Sequence, residues 1–141
     1  MLDKKNLVST MIQQHRTLQK EVGSVLEILK TDVDTEKISQ GLEQFKKDLI
    51  EHLKLENDVF YAELLKEMKS KGQDTTKTEQ FIAEMKNIEK AVVAFLGKYD
   101  SSEDIKEKLE EFKKEFAGIV DTLTLRIESE ESGVFAYWGL F

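Results

Sequence analysis

Between residues 38 and 56, Ile38, Leu42, Phe45, Leu49, His52 and Glu56 recur alternately four and three apart. That interval is one face of an α-helix, and a face this regular has to be covered by a partner. It is apolar until its end, where it turns into an imidazole and a carboxylate. Burying those two groups costs several kcal/mol unless they are paired, hydrogen-bonded or metal-ligated. A core stripe that ends in two polar side chains therefore marks a site as well as a helix.

The rest of the chain repeats this pattern. A first segment, about 3–30, carries the stripe Val8, Met11, His15, Leu18, Val22, Val25, Leu29. It breaks at 31–34, where Asp34 is placed to cap the second helix, about 35–70. Lys71 and Gly72 form a turn. Thr76-Lys-Thr-Glu79 has the capping-box spacing and opens a third helix with the stripe Phe81, Met85, Ile88, Val92, Phe95. A weaker start at Ser101 precedes the fourth stripe: Ile105, Leu109, Phe112, Phe116, Ile119, Leu123, Arg126, Glu130. Nothing reads as a strand, because the Thr-rich 121–125 lies inside an unbroken helical period. Proline is absent, so nothing forces a break. The expectation is an all-α, up-down-up-down four-helix bundle occupying residues 1–141 as a single domain. Helices two and four look like copies: Phe45, Leu49, His52, Glu56 match Ile119, Leu123, Arg126, Glu130 in spacing.

Composition removes several function classes. The net charge of −7, with Lys scattered among Glu, argues against a nucleic-acid partner. With no Cys, disulfides, thiol catalysis and Cys-ligated zinc are excluded. No apolar run approaches the ~20 residues of a membrane span, and the N-terminus leads into an amphipathic pattern rather than a signal-peptide core. A soluble, cytoplasmic protein with no membrane partner is the simplest expectation.

Polarity interrupts the inward stripes at His15 on helix one, at His52 and Glu56 on helix two, and at Arg126 and Glu130, with Glu131 beside it, on helix four. Helix three offers Met85 and, one turn on, Glu89. In an antiparallel bundle His15, His52 and Glu130 fall at one level. His52 and Glu56, four apart, share a helix face and can bind one ion. Two imidazoles and two carboxylates suit iron, manganese or zinc and leave positions open for a small ligand. A lone histidine at a bundle end is ordinarily just a polar residue; a convergent set of four needs compensation.

The pattern resembles the hemerythrin-like HHE cation-binding family over nearly the whole chain. The resemblance is carried by His15 followed by Leu18, by His52 and Glu56, and by the acidic run Glu130-Glu131-Ser-Gly-Val-Phe135. It implies a bundle holding two irons, bridged by the helix-two and helix-four carboxylates. This chain departs from the pattern at two places: Met85 stands where the family has a helix-three His, and Arg126 (or Ile127, if the alignment slips) where it has a helix-four His. Both losses fall on the same iron. The metal set implied is His15, His52, Glu56 and Glu130 or Glu131, with Met85, Glu89 and Arg126 as remnants of the second site.

The leading functional expectation is thus a partial site for one iron rather than two, binding or sensing a diatomic such as O2 or NO, or storing iron. Arg126 would replace the charge of the second metal, since a guanidinium is permanently cationic and grips carboxylates. The alternative is a degenerate, metal-free bundle acting as a scaffold. A non-haem iron oxidase or peroxidase ranks third, because no substrate pocket is evident. The aromatic tail, Phe135, Tyr137, Trp138 and Phe141, has two readings: a cap folded back on the bundle, or a homodimer patch.

Overall fold

A computed structural model describes residues 4–31 and 33–138. The first helix, α1 (Lys4–Thr31), is followed by α2 (Thr35–Leu55), which passes through a π-helical turn (Glu56–Tyr61) into α3 (Ala62–Ser70). Then come α4 (Thr76–Lys98), a short α5 (Ser102–Glu107), α6 (Leu109–Ser132) and a terminal α7 (Val134–Trp138). Among the described residues there is no strand. In the bundle α1 packs against α2 and α6, and α4 packs against α2 and α6, which makes the expected ring of four rods. No helix among the described residues is long and apolar enough to cross a membrane.

The local signals act as their chemistry requires. Asp34 accepts hydrogen bonds from the backbone of Glu36 and Lys37 at 3.1 and 3.2 Å and so starts α2. Ser101 accepts from Asp104 N and starts α5. Gly72 is left-handed, with φ 69°. Its helix ends in a 6→1 bond from Gln73 N to Met68 O. At α4 the cap lies one step earlier than the capping-box spacing suggests: Asp74 accepts from Thr76 N, and the Thr75 hydroxyl reaches Glu79.

Two apolar clusters fill the bundle. One is built on Leu18, Phe45, Leu49, Phe95, Phe112 and Phe116. The other is built on Met11, Phe60, Tyr61, Leu64, Met85 and Trp138. Along α1 the residue between Met11 and Leu18 is His15, and between Leu49 and Phe60 lie His52 and Glu56. The polar residues thus form a layer between two cores. The core stripe of α2 is buried at every position from Ile38 to Glu56.

Two features differ from the expectation, and a third falls on one of its two alternatives. The fourth helix is not continuous: the chain bends at Lys108 (φ −128°, ψ 42°), which lets Ile105 bury completely between the rods. At the start of α1 Leu7, rather than Val8, faces the core, and on α4 Ile82 is more buried than Phe81. Finally, the tail folds back. α6 ends at Gly133, where a Cβ would meet Ser129 O at 2.7 Å, and α7 returns Phe135 and Trp138 into the core at 3% and 4% exposure. Phe60 meets both rings edge-on. Those two rings cap the bundle and are spent inside it, as the first of the two readings of the tail has it, while Tyr137 is half-buried; Phe141 lies outside the described residues.

Candidate metal centre

Three rods supply the site. His15 comes from the middle of α1, His52 from the last turn of α2, Glu56 from the start of the π turn, and Glu130 from the last turn of α6. All four are buried, at 1–3% exposure. Each offers one ligand atom, and the four atoms lie within 4.8 Å of one another. The imidazole centroids are 4.7 Å apart.

The contacts inside this set are short but poorly aimed at each other. His15 Nε2 is 3.1 Å from Glu130 Oε1, and His52 Nε2 is 3.2 Å from Glu56 Oε2. Yet His15 Nε2 and Glu56 Oε2 make no hydrogen bond. Buried polar atoms left this way cost about 1–3 kcal/mol each. Lone pairs that converge without bonding one another are what a cation needs, so the residues present fit one.

The outer layer orients the inner one. His15 Nδ1 donates to Glu131 Oε2 at 2.8 Å, and Glu131 is itself gripped by both terminal nitrogens of Arg16, at 3.0 and 2.6 Å. His52 Nδ1 donates to Gln14 Oε1 at 2.7 Å. Each bond puts the ring proton on Nδ1 and leaves Nε2 as a lone pair facing inward, the usual arrangement behind a metal-binding imidazole. Consecutive helical residues diverge by about 100°, which is why Gln14, His15 and Arg16 can serve α2, the centre and α6 respectively. Tyr61 donates to Glu130 Oε2 at 2.8 Å.

Burial dominates the electrostatics. Glu130 is pushed up to about 8, first by burial and next by its hydrogen bond to the Glu56 carboxyl. Glu56 is also raised, by burial first and by the charge of Glu89, against its contact with Glu130 and the charge of Arg126. Burial and their closeness to one another thus disfavour charge on both carboxyls. His52 is lowered by burial, against the charges of Glu130 and Glu89, and stays neutral. Arg16 and His15 hold Glu131 below its ordinary value despite partial burial.

The structure therefore brings His15, His52, Glu56 and Glu130 together and sets Glu131 one layer out, behind His15. Of the remaining expected residues, Met85 is buried and Glu89 half-buried; both line the same cavity as the four, as does Arg126. The Glu89 carboxylate accepts from Asn57 Nδ2 at 3.1 and 3.3 Å. Arg126 turns inward, its guanidinium 5.4 Å from the Phe81 ring. Gln14, Arg16 and Tyr61 were missed from sequence. Tyr61 is five residues past Glu56, outside the helical period, and only the π turn returns it to the inward face. The matching Phe135, five past Glu130, also points inward, so the internal repeat persists in three dimensions.

A bundle with a buried His/carboxylate layer is the architecture of cation-binding four-helix proteins. The sequence model of the Hemerythrin HHE cation binding domain matches residues 6–138, and the chain belongs to that family. Comparison with curated proteins finds no match, and comparison with solved structures finds none either. A domain of this family implies a bound metal cation, and the His/Glu cluster fits a site for it.

Proposed function

We propose that this chain is a mononuclear iron module that binds or senses a small diatomic ligand such as O2 or NO. The ion would be held by His15, His52, Glu56 and Glu130. Two nitrogen and two oxygen donors suit iron and leave coordination positions open for such a ligand. The observation that carries the reading is the convergence of four buried ligand atoms within 4.8 Å, two of them bonded to nothing else. One ion rather than two is supported by Met85 and Arg126, which supply neither imidazole nor carboxylate on the far side of the layer. Reversible O2 binding of the two-iron kind is disfavoured on the same ground.

The competing reading is a metal-free scaffold in which Arg126 neutralises the carboxylates. Its support is the effect of Arg126 charge on Glu56; against it stand the unbonded ligand atoms. The metal content of protein made in iron-replete cells decides between them, with His52→Ala as control. About one iron per chain, lost in the variant, supports the module. Iron at background in both refutes it. The spectrum with NO then tests diatomic binding, and peroxide turnover tests an oxidase or peroxidase role.

A further inference from the structure

The metal centre and the outer surface of the bundle are separated at one place by a single apolar wall. A cavity of about 40 Å³ lies against His15, His52, Glu56 and Glu130. At roughly 10–15 Å³ for each water-sized atom it holds about three, enough for an ion and a diatomic. Outside it, between α1 and α6, runs a groove of about 200 Å³. Leu18, Leu123 and Ile127 line both spaces. Leu18 stands three residues from His15, and Ile127 three from Glu130, so the wall lies one helical turn from the ligand atoms. Val22, Leu26 and Val120 continue the groove along the two rods. Of the three wall residues Leu18 and Ile127 are buried, while Leu123 is only half-buried. Partly exposed side chains change rotamer within nanoseconds. Gly23, on the α1 bank, leaves space beside it, since even a Cβ there would meet nothing within 4 Å.

The other sides are closed or polar. The groove between α1 and α2 is banked by Gln13, Gln14, Asp48 and Glu51, and Gln14 is tied to His52. The groove at Ile50 and Leu96 lies between α2 and α4. Neither shares a wall residue with the inner cavity among the described residues. Between α4 and the π turn, Asn57 holds Glu89. At the end of the bundle, Phe60, Phe135 and Trp138 pack on one another. We propose that an uncharged diatomic enters between α1 and α6, through the wall of Leu18, Leu123 and Ile127, with Leu123 as the side chain that swings to admit it. An apolar passage accepts such a gas and turns back ions, which would lose their hydration inside it. The inference rests on the diatomic reading above. Leu123 supplies no ligand atom, so changing it should alter entry and exit together and largely spare the equilibrium affinity.

Two measurements test this. In the metal-free chain, dissolved O2 is used as a paramagnetic probe of methyl relaxation. Enhancement should be larger at Leu18, Ile127, Leu49 and Val92, which line the inner cavity, than at Ile38 and Ile105, which are as deeply buried elsewhere. In the Fe(II) protein, NO association and dissociation are then timed for wild type, Leu123→Phe, Leu123→Ala and Ile50→Phe, with circular dichroism confirming each fold. Association should slow about tenfold in Leu123→Phe and quicken in Leu123→Ala, dissociation moving with it, while Ile50→Phe leaves both unchanged. NO binding with equal association rates in wild type and both Leu123 variants overturns the route and leaves the diatomic reading standing. A chain that binds no iron, or whose iron takes no NO, overturns that reading instead. Relaxation at Leu49 and Val92 no greater than at Ile38 and Ile105 overturns the route whether or not iron binds.

Discussion

Replacing Glu56 by methionine should make the metal-free protein more stable while destroying its response to metal. Glu56 is 1% exposed, and its Oε2 sits 3.2 Å from His52 Nε2 without a hydrogen bond. An unsatisfied buried polar atom costs about 1–3 kcal/mol. Methionine has nearly the same length and adapts its shape, so the repacking penalty stays under about 1.5 kcal/mol. Glu130 keeps its bond from Tyr61 but gives up its bond to the Glu56 carboxyl, which offsets about 1 kcal/mol of the gain. The net expectation in chelator is a gain of up to about 1 kcal/mol, since exchanging a buried ionic group for an apolar one is often neutral or stabilising. With metal present at a hundred times its Kd, wild type gains about 2.7 kcal/mol by mass action. The variant, short of one ligand, gains far less, and the order of stabilities reverses. Urea melts in chelator and in anaerobic Fe(II) read both numbers. A Glu56→Met protein that is less stable than wild type in chelator, or one raised equally by Fe(II), would refute the account of a layer shaped for a cation.

Removing outer partners should act on the metal more than on the fold. Glu131→Ala strips the acceptor from His15 Nδ1, and Tyr61→Phe strips the donor to Glu130. Losses of about tenfold to a hundredfold in metal affinity are expected, read by chelator competition; unchanged affinity in both would refute the positioning roles. Metal affinity should rise with pH up to about 8 and then level, because the ion displaces the proton that Glu130 holds until about 8. Metal-free stability should move oppositely: the raised Glu130 contributes fully below its ordinary 4.5 and loses that contribution as pH climbs through about 8. Calorimetry with and without chelator across that range checks both signs. Phe112, fully buried between Phe95, Tyr99 and Phe116, carries the other core. Phe112→Ala should cost about 3–5 kcal/mol, measured by denaturant melts, without altering metal stoichiometry.

The sequence by itself determined the rods, their inward faces and the place where polarity interrupts them. A buried helical face has a 3.6-residue period, and Ile38 through Glu56 keep it without error. The same period put His15, His52, Glu56 and Glu130 on inward stripes, and so made them legible as one cluster. What it could not determine arises between rods or against the period. Whether Glu130 or its neighbour Glu131 turns inward depends on the rotation of α6, which packing against α1 decides by giving Glu131 to His15 and Arg16. The π turn that returns Tyr61 to the centre has no proline or glycine to mark it. The bend at Lys108 exists because burying Ile105 outweighs keeping one helix straight. The inward aim of Arg126, which the stripe allowed but its long stem left free to reach solvent, was likewise decided only by the surrounding walls.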